Sequence, residues 1–308
     1  MINIAPSTSG TAWFLNGIAN LQNQQTEVQR QISSGFQIQD ASDSPSQTPE
    51  LIGLGSTLAA VETYQTNLGR VQAEASTADQ ALGTGISLIQ NAITLGEQGA
   101  NTASTAASRQ TLATQIQSIQ QQLVSISNTS VEGRYIFGGD QDQSAPFQYN
   151  AATGTVVDNL TSQTSTRVIT DTQGQTVYRP LSAQHIFGPV DAAGAPTPNS
   201  TFNALQSLVA DLPGGNTTTI ANDIASLNTA SPHMNRQQAY YGTAEQRIAN
   251  EQNNASNQET ALQIRISSIR DTNVTQAATE LTQLSTDESA AYGAQSAIPV
   301  KSLFNYLA

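Results

Sequence analysis

Of the 308 residues only 11% are charged, and 11 basic against 23 acidic side chains leave a net charge of −12. That balance argues against nucleic acid and anionic membrane surfaces, which are gripped by Lys and Arg. Cysteine is absent, which excludes disulfides, thiolate metal sites and thiol catalysis.

Hydrophobic residues make up 37% of the chain, and much of the rest is Gln, Ser, Thr, Asn and Gly. No run of about 18 apolar residues occurs, so membrane insertion is not expected. The opening MINIAPSTSGTAWFL has neither a basic nor an apolar signal region, so it does not read as a secretory signal peptide. The prolines are unevenly placed: 50–145 and 233–298 contain none. A proline costs about 3 kcal/mol inside a helix, so these blocks are where long helices are expected.

Residues 12–33 carry Phe14, Ile18, Leu21, Val28 and Ile32 at spacings of four, three, seven and four. That is a heptad stripe with Gln25 in one seam slot. Ser33-Ser34-Gly35 is a helix stop, and 35–49, with Pro45 and Pro49, reads as a loop. From residue 50 the stripe resumes through Leu54, Leu58, Val61, Leu68, Val71, Ala75, Ala78 and Leu82, and continues through Ile86, Ile89 and Ile93. The glycines of Gly96–Asn101 predict a turn, followed by a second helix through Leu112, Ile116, Ile119, Leu123 and Ile126.

The pattern changes at Gly133. Val156-Val157, Arg167–Thr170 and Gln175–Tyr178 read as short strands, with a turn at Asp171–Gly174. Residues 188–199 read as an exit linker. Two short helices are then expected at about 202–212 and 220–227, with Asn199 or Ser200 as cap for the first. A last long helix is expected after Pro232, carrying Ile248, Ala255, Leu262, Ile266 and Ile269. A weak spot follows at Asp271–Asn273, beyond which Leu281, Leu284 and Ala291 extend the stripe. The fold class is therefore mainly α: a long antiparallel helical rod or coiled coil built from both chain ends, with a small β-rich insert. Narrow stripes of this kind need a partner helix, and the obvious partners are the other chain end and copies of the same chain.

Catalytic machinery is hard to find. The two histidines, His185 and His233, belong to no recognised motif and read as packing or surface residues. Gly53-Leu54-Gly55 and Gly83-Thr84-Gly85 lie within a helical stripe, not after a strand, so they read as sites of close helix contact. Asp140-Gln141-Asp142-Gln143-Ser144 opens like a calcium loop but has Ala145 and Ala151 where the loop needs glycine and glutamate, and reads as a polar turn. No catalytic, cofactor or metal residues are assigned, and no cofactor is expected.

Gln31-Ile32-Ser33-Ser34-Gly35 followed by Asp40-Ala41-Ser42-Asp43-Ser44-Pro45 resembles the N-terminal signature of the bacterial flagellin superfamily, in which a helix ending IS(S/T)G leads into an (A/P)SDDP loop. Asn67–Gln72 resembles the helix that follows, and Ser267–Asn273 with Thr279–Leu281 is similar to the C-terminal signature. Gly133–Gly139 with Pro146-Phe147, and the ending Ser302–Leu307, are most similar to the branch that joins hook to filament.

The resemblance implies five segments: 1–45 as the N-terminal helix and loop of an inner coiled coil, 46–139 as rod, 140–198 as outer insert, 199–271 as returning rod and 272–308 as C-terminal helix. It implies a non-enzymatic structural axial subunit of the flagellum, with a filament subunit as the alternative. Implied partners are further copies in a helical assembly, flagellin, the adjoining hook-associated junction protein and an export chaperone. The implied location is extracellular, after type III export without a cleaved signal. The implied assembly residues are Phe14, Ile18, Leu21, Val28, Ile32, Leu281, Leu284, Leu303, Phe304 and Leu307, with Ser34, Gly35, Asp43 and Pro45 as the family loop.

Overall fold

The computed structural model describes residues 8–160, 164–171, 173–188, 197 and 200–296. Seven helices are described: α1 (Thr8–Ser34), α2 (Thr48–Ala100), α3 (Ala106–Ser127), α4 (Ala183–Phe187), α5 (Thr201–Asp211), α6 (Thr217–Arg270) and α7 (Val274–Ser296). The six short strands are β1 (Ser130–Val131), β2 (Arg134–Tyr135), β3 (Phe147–Asn150), β4 (Thr155–Asp158), β5 (Ile169–Thr170) and β6 (Thr176–Tyr178). They pair in order as three antiparallel two-stranded sheets. The chain divides into a terminal unit, 1–61 with 257–308, and a central unit, 62–256. Helices α2 and α6 contribute to both.

The central unit is organised on heptads. In α2, Leu68, Ala75, Leu82 and Ile89 are buried seven apart, beside Val71, Ala78 and Ala92. Two-residue-wide stripes of this kind are coiled-coil seams. Small residues let the neighbouring helices approach. A methyl group on Gly85 would stand 3.1 Å from Met234 and 3.2 Å from Leu123; on Gly96 it would stand 3.1 Å from both Ile224 and Leu208. Residues 83, 85 and 96 of α2 thus meet 238, 234 and 224 of α6, so the two helices run antiparallel.

Two sequence expectations need correction here. The predicted turn at Gly96–Asn101 begins only at Asn101, because Gly96 and Gly99 are buried seam residues inside α2. The predicted break at Pro232 does not occur: α6 runs through it as one 54-residue helix. The reason lies in the stripe Ile220, Leu227, Met234, Tyr241, Ile248 and Ala255, seven apart and all buried. Each large apolar member stabilises by about 1.5–3 kcal/mol on burial, and together they outweigh the roughly 3 kcal/mol cost of one proline. Gly83 and Gly85 make the close helix contacts expected of them, whereas Gly53 and Gly55 face open space.

The strand region shares its core with these helices. Phe137, Phe147, Tyr178 and Phe187 belong to the same buried cluster as Leu82, Ile116 and Tyr241. The rings of Phe137, Phe147 and Phe187 meet edge-on at centroid distances of 6.2 Å, the geometry favoured by the ring quadrupole. Polar ties fix the attachment. Asn128 Nδ2 donates to Phe147 O (2.7 Å), and its Oδ1 accepts from Phe147 N (3.0 Å), so one side chain at the end of α3 imitates a strand partner for β3. Tyr240 donates to Arg179 O (2.7 Å), and Tyr241 Oη accepts from Leu181 N (3.2 Å). Glu132 and Gly133, both at positive φ (52° and 78°), close the β1–β2 hairpin as a primed turn. Asp140, first residue of the calcium-like stretch, accepts from Thr166 N (2.8 Å) and the Thr164 hydroxyl (2.8 Å), which makes it a turn anchor.

A buried carboxylate also joins sheet to helix. Glu74 of α2 accepts from Arg167 (2.6 Å) and from the Tyr178 hydroxyl (3.0 Å). Burial pushes its carboxyl up, against the opposing pull of Arg167. Of the linker expected at 188–199, only Gly188 and Thr197 fall within the described residues.

Candidate assembly surface of the terminal unit

Helices α1 and α7 pack against each other, and side-chain bonds set their direction. Gln22 Nε2 donates to Glu288 Oε1 (3.1 Å) and Tyr292 Oη (3.3 Å), and Gln25 Nε2 donates to Ser285 Oγ (3.1 Å). The pairs 22–288 and 25–285 keep a constant sum, which defines an antiparallel pair. Val28, Ala277 and Leu284 form its buried core, with Leu21, Ile32 and Leu281 packed around them. Gln25 occupies its seam slot by bonding across the helices. Ile18 is buried, and with Phe14, Leu21 and Ala291 it lines a cavity of about 290 Å³ that Trp13 also borders. Leu303, Phe304 and Leu307 lie outside the described residues.

The loop after α1 ties it to the α6–α7 junction. Gly35, at φ +77°, ends α1 by donating to Gln31 O (2.9 Å); the left-handed conformation is the usual helix stop and suits glycine. The chain then bridges Phe36 to Asp271. Gln37 N donates to Arg270 O (2.7 Å), and Thr272 N donates to Gly35 O (2.9 Å). The Arg270 guanidinium covers the Phe36 ring at 4.2 Å, a cation–π contact.

The Ser34 hydroxyl accepts from Phe36 N (3.1 Å) and from the Gln39 side-chain amide. Asp43 Oδ2 accepts from Asp40 N and Gln39 N, each at 3.0 Å, and pairs with Arg30 at 3.0 Å. The two backbone donors, with Arg30 behind them, hold its carboxyl down to about 2. Arg30 also binds Glu27 (2.7 Å). Pro45 lies in the turn that leads into α2, where Gln47 N and Thr48 N both donate to Ser44 O. Glu50 of α2 pairs with Arg265 of α6 at 2.6 Å.

These contacts bring the loop motif and both terminal stripes into one unit, and they use most of the stripe internally. What remains outside is a different set. Among the described residues, six large apolar side chains stand exposed: Trp13 (82%), Leu15, Ile52, Ile264, Val274 and Tyr292. All six fall in the terminal unit. Reading for seams misses them because they are off-seam. A signal was nonetheless present: Trp13-Phe14-Leu15 are consecutive, and residues 100° apart on a helix cannot all face one partner.

No described helix is long and apolar enough to cross a membrane, and no cluster of three metal-ligating side chains occurs among the described residues. Fold and surface together define a mainly helical protein whose helices α1 and α7 join in one unit that leaves, among the described residues, a second set of large apolar side chains exposed. The chain belongs to the bacterial flagellin family: the N-terminal helical region of bacterial flagellin matches residues 11–142, and its C-terminal helical region matches 224–307. This family is a structural component of the flagellum rather than a family of enzymes.

A flagellar hook-associated protein 3 of Escherichia coli is 31% identical over 136 residues, which are 43% of this chain and 42% of the relative. The match thus spans less than half of that relative's length. Two solved structures share the fold. A flagellar hook-associated protein from Vibrio parahaemolyticus aligns at TM-score 0.55 and 20% identity, over 75% of this chain and 98% of its own. The FlgL structure from Bacillus cereus aligns at TM-score 0.53 and 16% identity, over 70% and 99%.

Proposed function

We propose that the protein is a structural axial subunit of the bacterial flagellum at the junction of hook and filament, without catalytic activity. The observation that carries the reading is the concentration of exposed large apolar side chains in the terminal unit. Large apolar side chains left exposed in one unit of a chain are candidate interaction residues, and contacts that do not close on themselves generate helical assemblies. The names of the hook-associated relatives favour the junction over the filament. In this reading the terminal unit stacks on further copies and on the neighbouring hook-associated and flagellin subunits, with Trp13 and Leu15 in contact. The tail residues Leu303, Phe304 and Leu307 belong to the same assembly surface. The segments 1–45 and 272–308 form the inner coiled coil, 46–139 and 199–271 the rod, and 140–198 the outer insert. The chain reaches the cell exterior through the flagellar export route, without a cleaved signal and escorted by an export chaperone.

The test is deletion of the gene in the source bacterium. The proposal expects cells that keep hooks, lose attached filaments and shed flagellin into the medium. Motile cells with attached filaments would refute it.

A further inference from the structure

The hairpin of α5 and α6 in the central unit brings two acids together. Helix α5 ends at Asp211, and its last turn carries no basic residue, so this carboxyl stands at the negative end of the helix dipole. The chain turns through 212–216, with Gly215 at φ +69°, and α6 then places Asp223 against Asp211. Asp223 Oδ2 is buried and has no hydrogen-bond donor within reach. The Asp211 carboxyl lies within hydrogen-bonding contact of the Asp223 carboxyl. Two carboxylates in contact repel and have no donor between them, whereas a carboxyl and a carboxylate bond through one proton.

Among the described residues neither acid takes part in an ion pair. Helix α3 presents Arg109 to the turn: its guanidinium lies against Gly215, and Nη1 donates to Ser104 O (2.6 Å). Helix α2 presents Gly96 and Gly99, which pack on Leu208, Ile224 and Leu212, and Glu97 between them is exposed. Burial first, and then the charge and contact of Asp211, push the Asp223 carboxyl up to about 6.

We infer that one proton shared by Asp211 and Asp223 clasps the α5–α6 hairpin, which is closed in mild acid and opens locally once both carboxyls ionise. Opening uncovers Leu208, Leu212 and Ile220, all fully buried in the closed hairpin. The sign follows from linkage. The folded value lies above the free aspartate value of about 3.9, so the stabilisation is complete below about pH 4 and is lost as pH rises through about 6. A displacement of about two pH units corresponds to at most about a hundredfold in the opening equilibrium, and solvent at the half-buried pair reduces this to about tenfold. The inference is independent of the junction reading, because it concerns the single chain in solution.

The test is amide hydrogen exchange of the full-length chain at about pH 5 and about pH 7.5, expressed as protection factors so that the intrinsic pH dependence of exchange is removed. Between the two conditions, protection of the 205–224 amides should fall about tenfold more than protection of 244–255 in the same helix α6. Asp223→Asn and Asp211→Asn each put an amide donor in place of the proton. Each should raise hairpin protection about tenfold at the higher pH and abolish its extra pH dependence. The double variant His185→Gln, His233→Gln, a control for the imidazoles, should leave that dependence unchanged. A second reading on the unsubstituted chain is the carboxyl carbon resonance of Asp223, whose titration midpoint should lie above about pH 5. Hairpin protection that follows 244–255, pH dependence that survives both asparagine variants, or a midpoint near the free value overturns the inference.

Discussion

Replacing Trp13 by serine separates assembly from folding. Trp13 leaves 82% of its surface in solvent. A tryptophan offers roughly 200 Å², so about 160 Å² is available to a neighbouring subunit. At about 25 cal/mol per Å², complete coverage contributes about 4 kcal/mol. Coverage of half of it contributes about 2 kcal/mol, or about 30-fold in affinity per contact. The fold should hardly respond, since exposed substitutions fall within about 0.5 kcal/mol. The assay is competition: wild-type and variant chains are expressed together at equal levels, and their ratio in sheared flagella is measured by mass spectrometry. The account predicts at least a tenfold excess of wild type in flagella, with the variant accumulating in the medium and its thermal unfolding unchanged. Equal incorporation would refute the assignment of Trp13 to an assembly contact.

Other consequences are narrower. Leu284→Ala removes a buried α7 side chain from the contact with α1 and should destabilise the terminal unit by about 2–5 kcal/mol in denaturant titration. Gly35→Ala meets no steric obstacle but needs φ +77°, so a loss of about 1 kcal/mol is expected from backbone strain alone. Glu74→Ala strands the Tyr178 hydroxyl and leaves the Arg167 guanidinium, among the described residues, an ion pair with Asp142 at 3.7 Å; with Arg167 partly solvated, a loss of about 2–3 kcal/mol from the central unit should appear in its unfolding midpoint. The Asp43 carboxyl, held at about 2, lies below its unfolded value of about 3.9. Its contribution is therefore complete above about pH 4 and lost as pH falls toward 2. Exchange of the Gln39 and Asp40 amides should accelerate across that window, and Asp43→Asn should remove the pH dependence.

The sequence made the heptad architecture legible because seam residues are apolar at regular spacing: Leu68, Leu82 and Ile89 stand out by inspection. It misled where a residue type has two uses. Pro232 reads as a break, yet the seven-residue series from Ile220 through Met234 and Tyr241 to Ala255 crosses it and carries the helix on. Gly96 reads as a turn, although the missing side chain serves contact with Leu208 and Ile224. The loop from Ser34 to Pro45 was recognisable as a motif, but not its function of pinning Gly35–Ile38 to Arg270–Thr272, because spacing along a chain says nothing about pairing over more than 200 residues. The candidate surface was half legible. The stripes were visible, and what they leave exposed at Trp13 and Leu15 emerges only once each stripe has been matched to its partner.

The central claim concerns position on the flagellum, and immunogold labelling of intact flagella with antibody to this chain tests it most directly. The account predicts a single band where hook meets filament. Label distributed along the filament would contradict it and make the chain a filament subunit.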